Sequence, residues 1–140
     1  MREHETSVTV RFCEVDSYQV AWHGHYLAWM EMGRNRLAGG FGLSVTDIAE
    51  AGFVAPVVDL QVKYLRPASF NEDLRIYTTA RRMETATLAF DSRIVGADGA
   101  VCATGRTVHV LTDPQGGLQY RLPPAIAERV ERMLCWSEGT

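Results

Sequence analysis

The segment from Arg11 to Leu27, RFCEVDSYQVAWHGHYL, holds the residue types and spacing that come nearest to chemistry. Asp16 stands there between a strand-like pattern and the aromatic-rich start of a helix. A carboxylate so placed can act as a nucleophile or as a general base. The helix that follows offers no Ser, Thr, Asp or Asn at its expected N-cap. Some of its first backbone N–H groups are therefore expected to be free of side-chain partners. A free helix N-terminus suits a polarised carbonyl or an oxyanion.

Other chemistries find less support. His23 and His25 stand two residues apart and do not share a helix face, and neither His4 nor His109 completes a metal-ligand spacing. No metal site is expected. Cys13, Cys102 and Cys135 include no Cys-x-x-Cys pair, and Cys13 is expected as a small buried residue of a strand. There is no Gly-x-Ser-x-Gly elbow, which argues against an α/β-hydrolase esterase. The net charge of -3 gives no general attraction to nucleic acid or to an anionic membrane surface. No apolar run approaches the length of a signal segment or membrane span, and the odd, scattered cysteines fit a reducing compartment, so a cytoplasmic location is expected.

The elements that must position Asp16 follow from periodicity. Val8, Val10 and Phe12 alternate with polar residues and predict a first strand. Tyr26, Leu27, Trp29, Met30, Gly33 and Leu37 predict a helix from about Gly24 to Ala38, stopped by Gly39-Gly40. Gly33 costs helix propensity, so close contact with a sheet is expected there. A short helix is expected over Val45 to Ala51, introduced by Ser44. Strands are expected over Phe53–Leu65, Leu74–Arg82, Thr87–Val95 and Val101–Leu111, with Asp98-Gly99 as the clearest hairpin turn. Pro123-Pro124 opens a last helix with Ile126, Val130, Met133 and Leu134 on one stripe. At 140 residues, with neither linker nor repeat, this is one domain over 1–140, of α+β class.

The order Asp16, Val20, His23, Tyr26, Leu27, followed by a helix and by Tyr64-Leu65-Arg66-Pro67-Ala68, resembles the hotdog-fold acyl-CoA thioesterases of the 4-hydroxybenzoyl-CoA thioesterase type. The resemblance covers nearly the whole chain. It departs at Tyr18 and Gln19, where the family often has small residues, and at His25, where Asn is common. The resemblance implies a curled antiparallel sheet wrapped around a long central helix. It implies Asp16 as nucleophile or general base, and the N–H of His23, with that of Gly24, as donors to the carbonyl oxygen. Another branch of the family carries its carboxylate on the central helix, which makes Glu31 the rival of Asp16.

The implied substrate is an acyl-CoA or aroyl-CoA, hydrolysed without metal or cofactor. Trp22, Trp29, Phe53, Val54 and Val57 are candidates for an apolar acyl site, with Gly24 and Tyr26 beside the reacting group. Lys63, Arg66, Arg81 and Arg82 are candidates for the coenzyme A phosphates. A non-catalytic acyl-CoA-binding protein of the same fold is one alternative. A hotdog dehydratase or hydratase is another, although the His-Phe-Pro-Gly type motif of those enzymes is absent. A single curled sheet leaves an edge and an apolar flank, so a homodimer or homotetramer is expected, with the site between subunits as the resemblance implies.

Overall fold

The structure is a computed structural model and describes residues 1–140. The elements run β1 (His4–Thr9), a 3-10 turn (Phe12–Glu14), α1 (His25–Gly39), α2 (Val45–Glu50), β2 (Val57–Tyr64), β3 (Asp73–Arg81), β4 (Thr87–Val95), β5 (Val101–Val110) and α3 (Pro124–Glu138). The strands form one five-stranded antiparallel sheet in the order β1-β3-β4-β5-β2, and α1 packs on β3, β1 and β4. This is the α+β arrangement expected from the alternation of periods.

The sheet can approach α1 because two positions in the contact lack a side chain. A Cβ on Gly33 would lie 2.5 Å from the Thr78 hydroxyl and 3.0 Å from Ile76. A Cβ on Gly105 would lie 2.6 Å from the Met30 sulfur. One part of the core joins Tyr26, Trp29 and Met30 of α1 to Leu74, Ile76 and Ile94 of the sheet. A second joins Leu37, Ile48, Phe90 and Leu111 to the α3 stripe Ile126, Val130, Met133 and Leu134. Each such side chain contributes roughly 1.5–3 kcal/mol by leaving water.

Ser44 caps α2 as expected, accepting from Asp47 N while its own N–H donates to the Asp47 carboxylate. Gly99 takes the left-handed conformation (φ 85°) in the β4–β5 turn. The first strand differs from expectation. It ends at Thr9, and Phe12 and Cys13 lie exposed in the 3-10 turn rather than inside a strand. Glu14 overrides the alternation, because its carboxylate accepts from the Arg11 N–H at 2.8 Å and folds the chain back. The strand expected from Phe53 begins only at Val57, and Val54 instead pairs singly with Thr112. β2 forms a sheet edge and leaves Val57, Val58, Leu60 and Tyr64 exposed. No helix is long and apolar enough to cross a membrane.

Candidate active site

Asp16 sits in a narrow loop that doubles back before α1. Its N–H donates to the Val20 carbonyl at 2.9 Å, Val15 bridges Ala21, and the Trp22 N–H donates to the Glu14 carbonyl at 2.9 Å. One carboxylate oxygen of Asp16 accepts from the Tyr18 N–H at 2.8 Å, which fixes the side chain against its own turn. Gln19 takes the left-handed conformation, with φ of 65°. That backbone is easiest for a small residue, a physical reason for the family's frequent choice there. The loop is stitched to the segment before β3 by Val20 pairing with Ser69 and by the Ala21 N–H donating to the Ala68 carbonyl at 2.8 Å.

The N-terminus of α1 is uncapped by any side chain, as expected, and Gly24 is its cap residue. The N–H groups of His23 and Gly24 make no hydrogen bond within the chain. The His23 carbonyl, in contrast, is held: the Tyr64 hydroxyl donates to it at 2.8 Å. The Tyr64 ring meets that of Tyr26 edge-on, and the buried Tyr26 hydroxyl accepts from the Ala68 N–H at 2.8 Å. Trp22 packs on His23 at a tilt of 48° and meets His25 edge-on. A Cβ on Gly24 would overlap the Trp22 ring, so this packing requires glycine. Asp16, Trp22, His23, Gly24 and Tyr26 thus share one loop-to-helix unit, pinned at its peptide planes.

Glu14 and Tyr64 were not singled out by the sequence, and both build the unit. Glu14 is buried and accepts from Trp29 Nε1 at 3.2 Å, anchoring the 3-10 turn to α1. Burial alone raises its pKa, but hydrogen bonds from the Arg11 backbone and side chain and from Trp29 outweigh it and hold the carboxyl below its ordinary value. Burial raises the Tyr26 and Tyr64 hydroxyls, which stay protonated. The rival carboxylate Glu31 points outward, 66% exposed, 3.4 Å from Arg34.

The four candidate cations differ in what they touch. Arg66 is held by Glu72 at 2.6 Å and Asp98 at 3.1 Å. Arg81 pairs with Asp91, and Arg82 with Glu131 and Glu138 of α3. Arg82 stands directly after β3, nine residues from Asp73 at its start, and the carbonyl of the neighbouring Glu72 accepts from the Val10 N–H. At the rise of a strand that places Arg82 roughly 30 Å away along β3. Lys63 forms no ion pair and adjoins Tyr64, whose hydroxyl reaches His23.

A carboxylate in the loop before a helix start with two unpartnered N–H groups has the parts to attack a carbonyl, or deliver water to it, while the N–H groups receive the oxyanion. Residues 10–130 match the Thioesterase-like superfamily. The chain is 30% identical to a putative esterase, sll0410, of Synechocystis sp., over 92% of this chain and 79% of the relative. It is 25% identical to the putative acyl-CoA thioesterase YneP of Bacillus subtilis, over 86% of this chain and 89% of the relative. Its fold matches a DHNA-CoA thioesterase of Staphylococcus aureus with a TM-score of 0.88 at 24% identity, covering 100% of this chain and 97% of that one. The chain belongs to the Thioesterase-like superfamily. Its fold is the hotdog fold, and it is a thioester hydrolase.

Proposed function

We propose that the chain hydrolyses an acyl-CoA or aroyl-CoA to a carboxylate and free coenzyme A, with Asp16 as the reacting carboxylate. The observation that carries this is the uncapped start of α1, whose His23 and Gly24 N–H groups are unspent one loop away from Asp16. The thioester carbonyl oxygen lies against these donors. Asp16 either attacks the carbonyl carbon, expelling the coenzyme A thiolate and leaving a mixed anhydride for water to cleave, or takes a proton from the water that attacks directly. Both routes break the C–S bond and return the proton to the thiolate. Oxyanion donors are worth about 3 kcal/mol each in well-studied enzymes, so the helix start rivals the carboxylate in weight. Lys63, free of acidic partners, is the first choice among the four cations for a coenzyme A phosphate, and Arg66 is largely occupied by Glu72 and Asp98. The oligomer is a homodimer or a dimer of dimers, in the cytoplasm, with the site completed between subunits.

Asp16→Asn keeps the shape and removes nucleophile and base together. The kcat for a good acyl-CoA is expected to fall at least roughly 10²-fold with a much smaller change in KM, and thermal stability to hold or rise slightly. Glu31→Gln is the control. Should Asp16→Asn keep near-normal kcat while Glu31→Gln loses it, the helix carboxylate replaces the loop carboxylate. If neither matters, the mechanism described is wrong.

A further inference from the structure

Two cavities lie along α1, and Arg34 borders both. The first, of about 180 Å³, is a crease between α1, β2 and β5, walled by Leu27, Met30, Val57, Leu60 and Gly105, with Arg34, Thr107 and Ser92 as polar lining and Glu31 at its rim. The second, of about 130 Å³, is walled mainly by apolar residues, among them Ala38, Ile48, Val54 and Phe90, with Arg34, Asn35 and His109 as its polar part. The crease begins one helical turn beyond His23 and Gly24, where the thioester carbonyl is seated in the function proposed above. From Gly24 to Arg34 the helix rises roughly 15 Å, and helical side chains lean back toward the N-terminus, which shortens the reach to the guanidinium.

Arg34 is an uncommon residue to find there. Its side chain is only 15% exposed, and its single acidic neighbour, Glu31 at 3.4 Å, is 66% exposed and screened by water. Its other partner is neutral. One guanidinium nitrogen donates to His109 Nε2 at 3.0 Å, and because a guanidinium only donates, Nε2 is the acceptor. The proton of His109 is then on Nδ1, which donates to the Ala55 carbonyl at 3.0 Å, and the Thr107 hydroxyl lies 3.1 Å from Nε2. A largely buried cation therefore borders a crease whose walls are mainly apolar, and the one anion near it, Glu31 at the rim, is water-exposed and only partly matches it, an arrangement that a ligand's charge on the buried side would improve.

We propose that Arg34 and Thr107 form a seat for an anionic oxygen at the far end of the acyl group, so that the preferred substrates are acyl-CoA thioesters bearing a terminal carboxylate. The apolar walls take the intervening chain, and the planar fork of Arg34 binds both carboxylate oxygens. His109 orients the guanidinium without competing for the negative charge, because it is neutral and its acceptor nitrogen is already used. The span from the carbonyl seat to Arg34 corresponds to roughly eight to ten chain atoms at about 1.2 Å each, the advance of an extended chain. This seat rests on the thioesterase function proposed above.

The test compares kcat/KM for octanedioyl- and decanedioyl-CoA, as mono-thioesters, with that for octanoyl- and decanoyl-CoA. The wild-type protein is expected to favour one or both carboxylate-ended substrates, and Arg34→Met to lower that preference about 10- to 100-fold, the range of a charge-assisted hydrogen bond. Arg34→Lys and Thr107→Val are expected to lower it several-fold, and they carry the test if Arg34→Met does not fold. A preference for the methyl-ended series, or a preference that survives in the variants, overturns the seat while leaving the hydrolase standing. Turnover of aroyl-CoAs alone overturns it as well. Absence of turnover with every thioester overturns the seat and the proposed function together.

Discussion

Gly24 shapes the start of α1, where the proposed function seats the thioester carbonyl, by what it lacks. A methyl group there would overlap the Trp22 ring, which packs against both His23 and His25. In Gly24→Ala either Trp22 swings out or the first turn of α1 shifts, and both move the N–H groups that would face the oxyanion. Misplacing such donors is expected to lower kcat by roughly 10- to 100-fold with a smaller effect on KM, measured under single-turnover conditions. Retention of full kcat with Trp22 repacked would show that these N–H groups are not the oxyanion donors. The residues of this loop were legible in the sequence because they are contiguous, with the carboxylate, the missing cap and the aromatics lying within one short segment. Tyr64 stands out in the sequence only as part of a motif, and Glu14 only as one member of the loop segment. Their work is done across 41 and 15 residues, through bonds to the His23 carbonyl and the Trp29 indole, and no local pattern announces such contacts.

At the scale of elements, α1 is the piece most tightly specified. Gly33 signals a point of close contact because glycine is otherwise unfavourable inside a helix, and it lies against Ile76 and Thr78 of β3. In Gly33→Ala a gain in helix propensity opposes a clash with two buried side chains of a close-packed sheet. Overpacking of this kind costs about 1–3 kcal/mol, more than the propensity returns, so a net loss of stability is expected in chemical denaturation. A stabilised variant would mean that α1 can slide on the sheet. The α3 stripe was equally legible, since Ile126, Val130, Met133 and Leu134 are all buried. The end of β1 was not, because the alternation of Val8, Val10 and Phe12 continues past the point where Glu14 turns the chain. Cys13, expected in a strand, is exposed for the same reason.

Two properties belong to the whole molecule. The first is its response to acid. Burial lowers the pKa of His109 below its ordinary value, the Ala55 carbonyl opposes this, Arg34 adds to it, and Glu31 opposes it weakly. The folded state thus binds the proton less readily than the unfolded chain. Stability is full above the unfolded value of about 6.5 and falls as pH drops through the lowered folded value. Urea midpoints are expected to decline from pH 7 toward pH 5 in the wild type and to decline less in His109→Gln. Equal slopes would mean that His109 does not govern this window.

The second is assembly. β2 is an open edge whose Val57, Val58 and Leu60 face solvent, and an exposed apolar edge invites a second copy of the same strand. Pairing of two such edges about a two-fold axis would extend the sheet across both chains and cover these side chains at once. It would also close the crease that runs beneath Leu60, bringing a second chain to the acyl path. The hotdog resemblance implies a site between subunits, and the topology leaves β1 and β2 as the two edges of the sheet, β2 being the second strand in the chain and the last in the sheet. Sedimentation of the wild type is expected to give a dimer or a tetramer. Val58→Lys places a charge on the edge and is expected to shift the protein toward monomer, with at least a 10-fold loss of acyl-CoA hydrolysis at dilute concentration. The loss should diminish as protein concentration rises, because mass action restores the pairing. A fully active wild-type monomer, or a Val58→Lys variant that assembles and works normally, would place the interface elsewhere and leave each site to a single chain.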